Sequence, residues 1–356
     1  MLKKIYIMGR AGSGKTAVAL GLSLLWQEKG LKIAYFKPKS TGKDLHRKHD
    51  ADALLFKQVL ELPWGPEQIA PLNFDPTYIF GTPDYNRPTI EKADAMLEES
   101  FKVIAGNDEG IMVVEGGRSP CAGMSYSLDD FSLAEKWDIP VLFISTLEKD
   151  DDLDQIIFYN NFLQAKGLNM LGNIFNNVPA AILDKVRNTY HPLLEERNCS
   201  VRGIIPAHPD VTFPTVAEFQ EALKGEILCG EENMGLPVEE IVVGTMTTER
   251  ALRYLRRALN KAVITGGDRS DMALTALETS TSVIILTGGL HPDIRVISRA
   301  REKGIPVILV PSDTYATIGA LQGVVRQIRP QDSSTVALVK KEVARYCSWE
   351  EIEEEL

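Results

Sequence analysis

Short apolar runs alternate with amphipathic stretches along most of the chain. The first run, Lys4-Ile5-Tyr6-Ile7-Met8, is too short for a helix and ends at glycine, so it predicts a buried strand. An Ala/Leu-rich stretch over 17–27 predicts a helix, and Lys32-Ile33-Ala34-Tyr35-Phe36 predicts a second strand. With so short a crossover between them, the two strands are expected to be parallel neighbours. Further strands are predicted at Ile111-Met112-Val113-Val114, Val141-Leu142-Phe143-Ile144-Ser145, 171–178 and 201–206. Helices are predicted over 50–62 and, behind an N-cap at Thr89, to about residue 104. The stretch 63–88 is proline-rich and aperiodic, which reads as a long loop covering a site. Strands alternating with helices over the first 210 residues imply an α/β fold with a doubly wound, mainly parallel sheet.

Near residue 212 the pattern restarts. Strands are predicted at 241–244, 262–265, 283–286 and 307–310, with helices at 247–259, 270–278 and 292–301 and another from about 314. This predicts a smaller α/β domain over 213–334 behind a first domain at 1–212. A helical tail follows at 335–356, where Ser348-Trp349-Glu350-Glu351 fits a capping box.

Composition narrows the classes. The chain has 356 residues, 44% hydrophobic and 25% charged, which is ordinary for a globular protein of two domains. No apolar run approaches the ~20 residues of a membrane span, and the N-terminus enters a strand without a signal-peptide pattern. Four cysteines, Cys121, Cys199, Cys229 and Cys347, lack metal-type or redox-type spacing. They are read as free thiols in a reducing cytoplasm. A net charge of −10 argues against nucleic acid as a partner.

Between the first strand and helix stands Gly9-Arg10-Ala11-Gly12-Ser13-Gly14-Lys15-Thr16, which reads G-x-x-x-x-G-K-T. Glycines let the backbone wrap a phosphate, and successive N–H groups and the helix N-terminus point at it. The Lys15 ammonium reaches the β- and γ-phosphates, and the Thr16 hydroxyl ligates Mg²⁺. A glycine-rich turn that binds nothing is the competing reading. The lysine, the threonine and both flanking elements argue against it. Glu115 ends a strand just before Gly116-Gly117, where a carboxylate can hold Mg²⁺ against the loop-bound phosphate. A strand-end glutamate on the surface is the competing reading, and the phosphate loop upstream argues against it.

Three features carry weaker signals. The basic stretch 43–49 is either a solvated loop or a phosphate clamp. The arginine-rich stretch 249–261 reads as a solvated or interface face. In the second domain Thr265-Gly266-Gly267-Asp268-Arg269 and Thr287-Gly288-Gly289 end strands, and two such turns make a possible anion or nucleotide pocket. They serve equally as tight turns that need glycine.

The first ~210 residues resemble dethiobiotin synthetase and related P-loop amide-forming enzymes, including cobyrinic acid a,c-diamide synthases. The resemblance runs through the loop, Tyr35-Phe36-Lys37-Pro38, Asp50-Ala51-Asp52-Ala53-Leu54, Val113-Val114-Glu115-Gly116, Gly172-Asn173-Ile174-Phe175-Asn176 and Gly203-Ile204-Ile205-Pro206. The second domain, with Gly267-Asp268-Arg269-Ser270-Asp271 and Val310-Pro311-Ser312-Asp313-Thr314, resembles a DRTGG domain. The pair is similar to the region that precedes the catalytic domain in long phosphotransacetylases.

That resemblance implies ATP and Mg²⁺ as cofactors. It places Lys15 on the β/γ-phosphates and Thr16, Asp52 and Glu115 on Mg²⁺. Lys37 neutralises the transferring phosphoryl group, and Thr41 stands at a substrate-contacting serine. Asn176 and the backbone around Pro206 hold the adenine, and Gly267, Asp268, Arg269 and Thr314 mark a possible second site. Two departures stand out. Where the synthetases continue after their glutamate as G-A-G-G, this chain reads Glu115-Gly116-Gly117-Arg118-Ser119-Pro120, and Arg10 matches the interface-crossing lysine of the ParA/MinD-like branch.

Two functions follow. One is a cytoplasmic, ATP-hydrolysing regulatory protein, expected as a homodimer, whose DRTGG domain senses a small metabolite or docks a partner enzyme. The other is an ATP-dependent ligase that activates a carboxylate or carbamate.

Overall fold

The computed structural model describes residues 2–40, 49–74, 90–106, 109–322 and 324–356. Thr41, the basic stretch 43–48, most of the 63–88 stretch and the N-cap Thr89 lie outside the described residues. Two compact units form. One comprises Met1–Ala207 together with Ile328–Leu356, and the other is His208–Gln327.

In the first unit the strands are β1 (Leu2–Gly9), β2 (Ile33–Phe36), β3 (Lys39–Ser40), β4 (Leu72–Asn73), β5 (Gly110–Glu115), β6 (Val141–Ser145), β7 (Met170–Val178) and β8 (Val201–Pro206). Six of them make one sheet in the order β2-β5-β1-β6-β7-β8, with every neighbouring pair parallel. Helices cover both faces of such a sheet, so its strands are continuous apolar runs. Ile5 to Met8 and Ile111 to Val114 are accordingly inaccessible to solvent. Register then sets the site. Ile7 on β1 lies level with Glu115 on β5, and Gly9 lies level with Ile144 on β6. The loop after β1 therefore emerges beside the carboxylate that ends β5.

The described part of the 63–88 stretch, residues 63–74, is more ordered than its prolines imply. A short helix, Pro66–Ile69, leads into β4, which pairs with β3. Ile69, Leu72 and Phe74 are buried, and the Lys37 amide donates to the Ile69 carbonyl at 2.8 Å. Three apolar side chains are too few to show a period, yet they seat this stretch against the segment that carries Lys37. The helix expected over 50–62 is α2 (Ala51–Val59), and it stops where Glu61 turns left-handed at φ 55°.

The C-terminal residues belong to the first unit and form no free tail. The helix Ser333–Tyr346 packs on α1 (Lys15–Glu28), and a Cβ on Gly21 would come within 2.5 Å of Val343 Cγ2. Cys347 then bridges Gly203 on β8, and the Ser348 amide donates to the Arg202 carbonyl at 2.8 Å. This covers an otherwise open sheet edge. The expected capping box at Ser348 does not form, because its side chain makes no cap bond. Ion pairs anchor the helix Trp349–Glu355 instead. Lys29 meets Glu353 and Arg202 meets Glu351, each at 2.9 Å.

The second unit has a five-stranded sheet of β9 (Glu226–Cys229), β10 (Glu240–Val243), β11 (Lys261–Gly266), β12 (Thr281–Thr287) and β13 (Val307–Leu309), in the order β10-β11-β12-β13-β9. The first four are parallel and β9 runs antiparallel at the edge. The sequence pattern did not reveal β9, whose four residues carry only a weak apolar signal. Alternate strand residues bury against Leu255, Ala273 and Ala300 on one face and against Phe219 and Leu321 on the other. Arg250, Arg253, Arg256 and Arg257 are exposed, as a solvated face requires. Lys261 departs from that face. It is fully buried on β11, where its ammonium donates to the carbonyls of Ala258, at 3.1 Å, and Ser280.

The α1 contact gives a direct test of the C-terminal docking. Gly21→Leu forces a side chain into Val343, and overpacking of this kind costs about 1–3 kcal/mol. The urea midpoint of the variant should fall, and an unchanged midpoint would contradict the packing.

Candidate functional site

The loop residues sit at the carboxyl end of β1, where strand termini of a parallel sheet present ligands. Gly14 caps α1 in the left-handed region at φ 78°, and a Cβ there would overlap the Asn176 amide nitrogen. That nitrogen donates to the Ser13 carbonyl at 2.9 Å, so β7 braces the loop from behind. Asn176 thus meets the loop itself, and Pro206 ends the neighbouring β8, level with Val178. Lys15 is buried and bends back over the loop, donating to the carbonyls of Gly9 and Arg10, both at 2.9 Å. Burial lowers its pKa, against the opposing pull of Glu115 and Asp130. The Ser13 hydroxyl is buried without a hydrogen-bond partner among the described residues. Arg10 is exposed, and its guanidinium donates to Gln155 of the same chain.

Opposite the loop, Glu115 is held on both oxygens. Thr16 Oγ1 donates to Oε1 at 2.7 Å, and the Tyr35 hydroxyl donates to Oε2 at 2.8 Å. Burial, and secondarily the nearby charge of Asp52, pushes the Glu115 pKa up to about 7. Lys37 lies between Asp50, at 3.3 Å, and Asp52, which its ammonium also contacts. Burial disfavours the charge of Lys37, but Asp52, Asp50 and Glu115 outweigh it and raise the pKa. Asp50 also caps α2, accepting from the amides of Asp52 at 2.9 Å and Ala53 at 3.1 Å. Of the residues expected at the site, Lys15, Thr16, Lys37, Asp52 and Glu115 thus gather in one electrostatic cluster.

Three contributors went unrecognised in the sequence. Tyr35 stood there as part of a strand and of the Tyr35-Phe36-Lys37-Pro38 match, with no role of its own. Lys39 and Asp130 form an ion pair at 2.9 Å with almost no exposure of either side chain. Asp130 also accepts from the Gly117 amide at 3.1 Å and from Tyr6 at 3.3 Å, while Lys39 donates to the Ala122 carbonyl at 2.9 Å. The segment following Glu115 is pinned by this pair. The Asp129-Asp130 dipeptide signals a helix N-terminus, and indeed Asp129 caps the helix Asp130–Lys136. Nothing local reveals that the second aspartate turns inward to a lysine far away in the chain.

The donor set fits a magnesium–phosphate ligand. Mg²⁺ takes one or two carboxylates and fills its remaining positions with phosphate oxygens and water. Thr16 and Glu115 present adjacent oxygen atoms, and no cluster of three or more His, Cys, Asp or Glu side chains forms a separate metal nest among the described residues. The loop amides, Lys15 and the unpartnered Ser13 hydroxyl match a phosphate.

In the second unit, the residues expected at a second site are only partly brought together. The Gly267 amide donates to the Thr287 carbonyl at 3.2 Å, and the Thr287 hydroxyl lies 3.1 Å from that of Thr314. Gly267 allows the Leu290 carbonyl to approach too closely for any side chain. Asp268 is exposed. Arg269 turns to the Met246 carbonyl, at 3.0 Å, and to Asp271.

The raised pKa of Glu115 has a signed consequence. The folded state binds a proton more tightly than the unfolded chain. That contribution is therefore complete below the ordinary glutamate range and is lost as pH rises to about 7. Between about pH 5 and about pH 7, ligand-free wild type should lose melting temperature more steeply than Glu115→Gln. Parallel profiles would contradict the assignment.

Residues 3–215 match the AAA domain family, and residues 218–324 match the DRTGG domain. The chain is 25% identical over 356 residues to a phosphate acetyltransferase of Nitrosomonas europaea, covering 94% of this chain and 49% of the relative. A phosphate acetyltransferase of Pseudomonas putida is 24% identical over 94% of this chain and 49% of its own length. The chain thus spans about half the length of the curated relatives it matches. A MinC:MinD cell division protein complex from Aquifex aeolicus matches at 13% identity and a TM-score of 0.35, over 59% of this chain and 83% of that one, too low to carry an argument. No helix among the described residues is long and apolar enough to cross a membrane. The chain belongs to the AAA domain family, in the dethiobiotin-synthetase-like P-loop form joined to a DRTGG domain that resembles the corresponding region of long phosphotransacetylases.

Proposed function

We propose that this protein binds Mg-ATP in its first unit, hydrolyses it slowly, and uses the DRTGG unit to sense a small effector or to dock a partner enzyme. The observation that carries this reading is the cluster at the end of β1 and β5. A buried Lys15 folds onto its own loop, the Ser13 hydroxyl has no partner, and Thr16 bonds directly to Glu115. Loop amides and Lys15 bind and orient the phosphates, and Lys37 supplies a second cation near the terminal phosphate. Thr16 and Glu115, with Asp52 nearby, hold Mg²⁺, which when bound offsets the negative charge of the phosphates. Asn176 and the backbone at Pro206 are the adenine side of this reading.

The regulatory reading is favoured over the ligase by the segment after Glu115. The Lys39–Asp130 ion pair pins Gly117 and Ala122 there, so the stretch that departs from the synthetase pattern is held internally. A cytoplasmic homodimer accompanies the proposal, and light scattering of the purified protein with and without nucleotide tests the assembly.

Titration with a fluorescent ATP analogue, followed by separate detection of ADP and phosphate, tests the function. Wild type should bind in the presence of Mg²⁺ and turn over slowly, releasing ADP and phosphate without consuming any added metabolite. Lys15→Ala should weaken binding at least about tenfold, equivalent to about 1.4 kcal/mol. Glu115→Ala should abolish the Mg²⁺ effect. Turnover that consumes a small carboxylate or amine in step with ADP release would replace this reading with the ligase, and absence of nucleotide binding would overturn both.

A further inference from the structure

Tyr35 has no exposed surface and sits at the third position of β2. Its hydroxyl donates to Glu115 Oε2 at 2.8 Å, while Thr16 donates to Oε1 at 2.7 Å. Each carboxylate oxygen therefore has a different donor, one from the core and one from the nucleotide loop. The terminal torsion of a glutamate is broad and roughly two-fold, so a carboxylate without such partners samples many orientations. The ring of Tyr35 lies flat on Phe56, with centroids 3.6 Å apart and planes within 4°. Phe56 is also fully buried and belongs to α2, whose first turn carries Asp52 and whose cap is Asp50.

We propose that Tyr35 is a positioning residue that makes Glu115 a one-oxygen magnesium ligand and ties it to the helix bearing Asp52. The hydroxyl occupies Oε2 and leaves Oε1 beside Thr16. The ring fixes α2 against β2, so the carboxylates of Glu115 and Asp52 keep a set spacing. Magnesium demands near-octahedral geometry and dehydrates reluctantly, which makes it sensitive to how a carboxylate is turned. Groups that orient metal ligands typically alter metal affinity 10–100-fold when removed. The inference rests on the reading of Thr16 and Glu115 as the magnesium side of the site.

Tyr35→Phe tests it with little change of shape, since the ring and its stack on Phe56 remain. Binding of a fluorescent ATP analogue is measured while Mg²⁺ is titrated, without reference to turnover. The variant should need about tenfold more Mg²⁺ for half its effect. Its nucleotide affinity in excess chelator should match wild type. Phe56→Leu keeps the hydroxyl but loses the stack, and should raise the Mg²⁺ requirement by a smaller factor. An unchanged Mg²⁺ requirement in Tyr35→Phe, with wild type responsive and Glu115→Ala unresponsive, would overturn the role of Tyr35 alone. Equal loss of affinity with and without Mg²⁺ would also overturn it, because a merely structural role predicts that pattern. A wild type that ignores Mg²⁺ would overturn the magnesium reading and this inference with it.

Discussion

Charge taken out of water has to be paired, and this requirement organises the carboxyl end of the first sheet. Lys15, Lys37, Lys39, Glu115 and Asp130 are each at most 9% exposed. An isolated ion at such depth carries a penalty of several kcal/mol, which only close partners offset. The chain supplies those partners both from neighbouring residues and from elements far apart in sequence. Lys37 meets Asp50 and Asp52, Lys39 meets Asp130, Glu115 takes bonds from Thr16 and Tyr35, and Lys15 turns to loop carbonyls. Loop, strand ends and α2 are therefore held by one connected set of polar contacts.

Such a set is satisfied from within, which shapes how it meets a ligand. A phosphate entering the loop competes with the Gly9 and Arg10 carbonyls for the Lys15 ammonium. On the proposed reading, a cation held by Thr16 and Glu115 would likewise replace the hydrogen bond between them. Because interiors of low dielectric strengthen every remaining interaction, exchange at one member is felt by the others. The aromatic stack of Tyr35 on Phe56 carries that influence into α2. The ion pair of Lys39 and Asp130 does the same for the segment after Glu115.

A second constraint is the closing of exposed surfaces by distant chain. After the DRTGG unit, the chain rejoins the P-loop unit and lays the helix Ser333–Tyr346 along α1. Cys347 and Ser348 then cover β8, the edge strand next to β7. The helix that begins at the phosphate loop thus rests on residues more than 300 positions later, and its packing there depends on the absence of a side chain at Gly21.

The family resemblance added Lys37 and Asp52 to the expected site. Legible in the sequence alone were the phosphate loop, the alternating strands and helices, the restart near residue 212, and Lys15, Thr16 and Glu115 as a chemical set. These are local signals: spacing within a turn, apolar runs of strand length, a carboxylate at a strand end. Sheet order decided the rest. Only the placement of β5 beside β1 brings Glu115 to Thr16. Only the fold joins Lys39 to Asp130, seats Tyr35 under Glu115, and makes a strand pair of β3 and β4 within a proline-rich stretch. The burial of Lys261 and the unused cap at Ser348 have the same origin. A residue's type and neighbours state what it offers, while its partner and depth are set by contacts made across the fold, which no periodicity records.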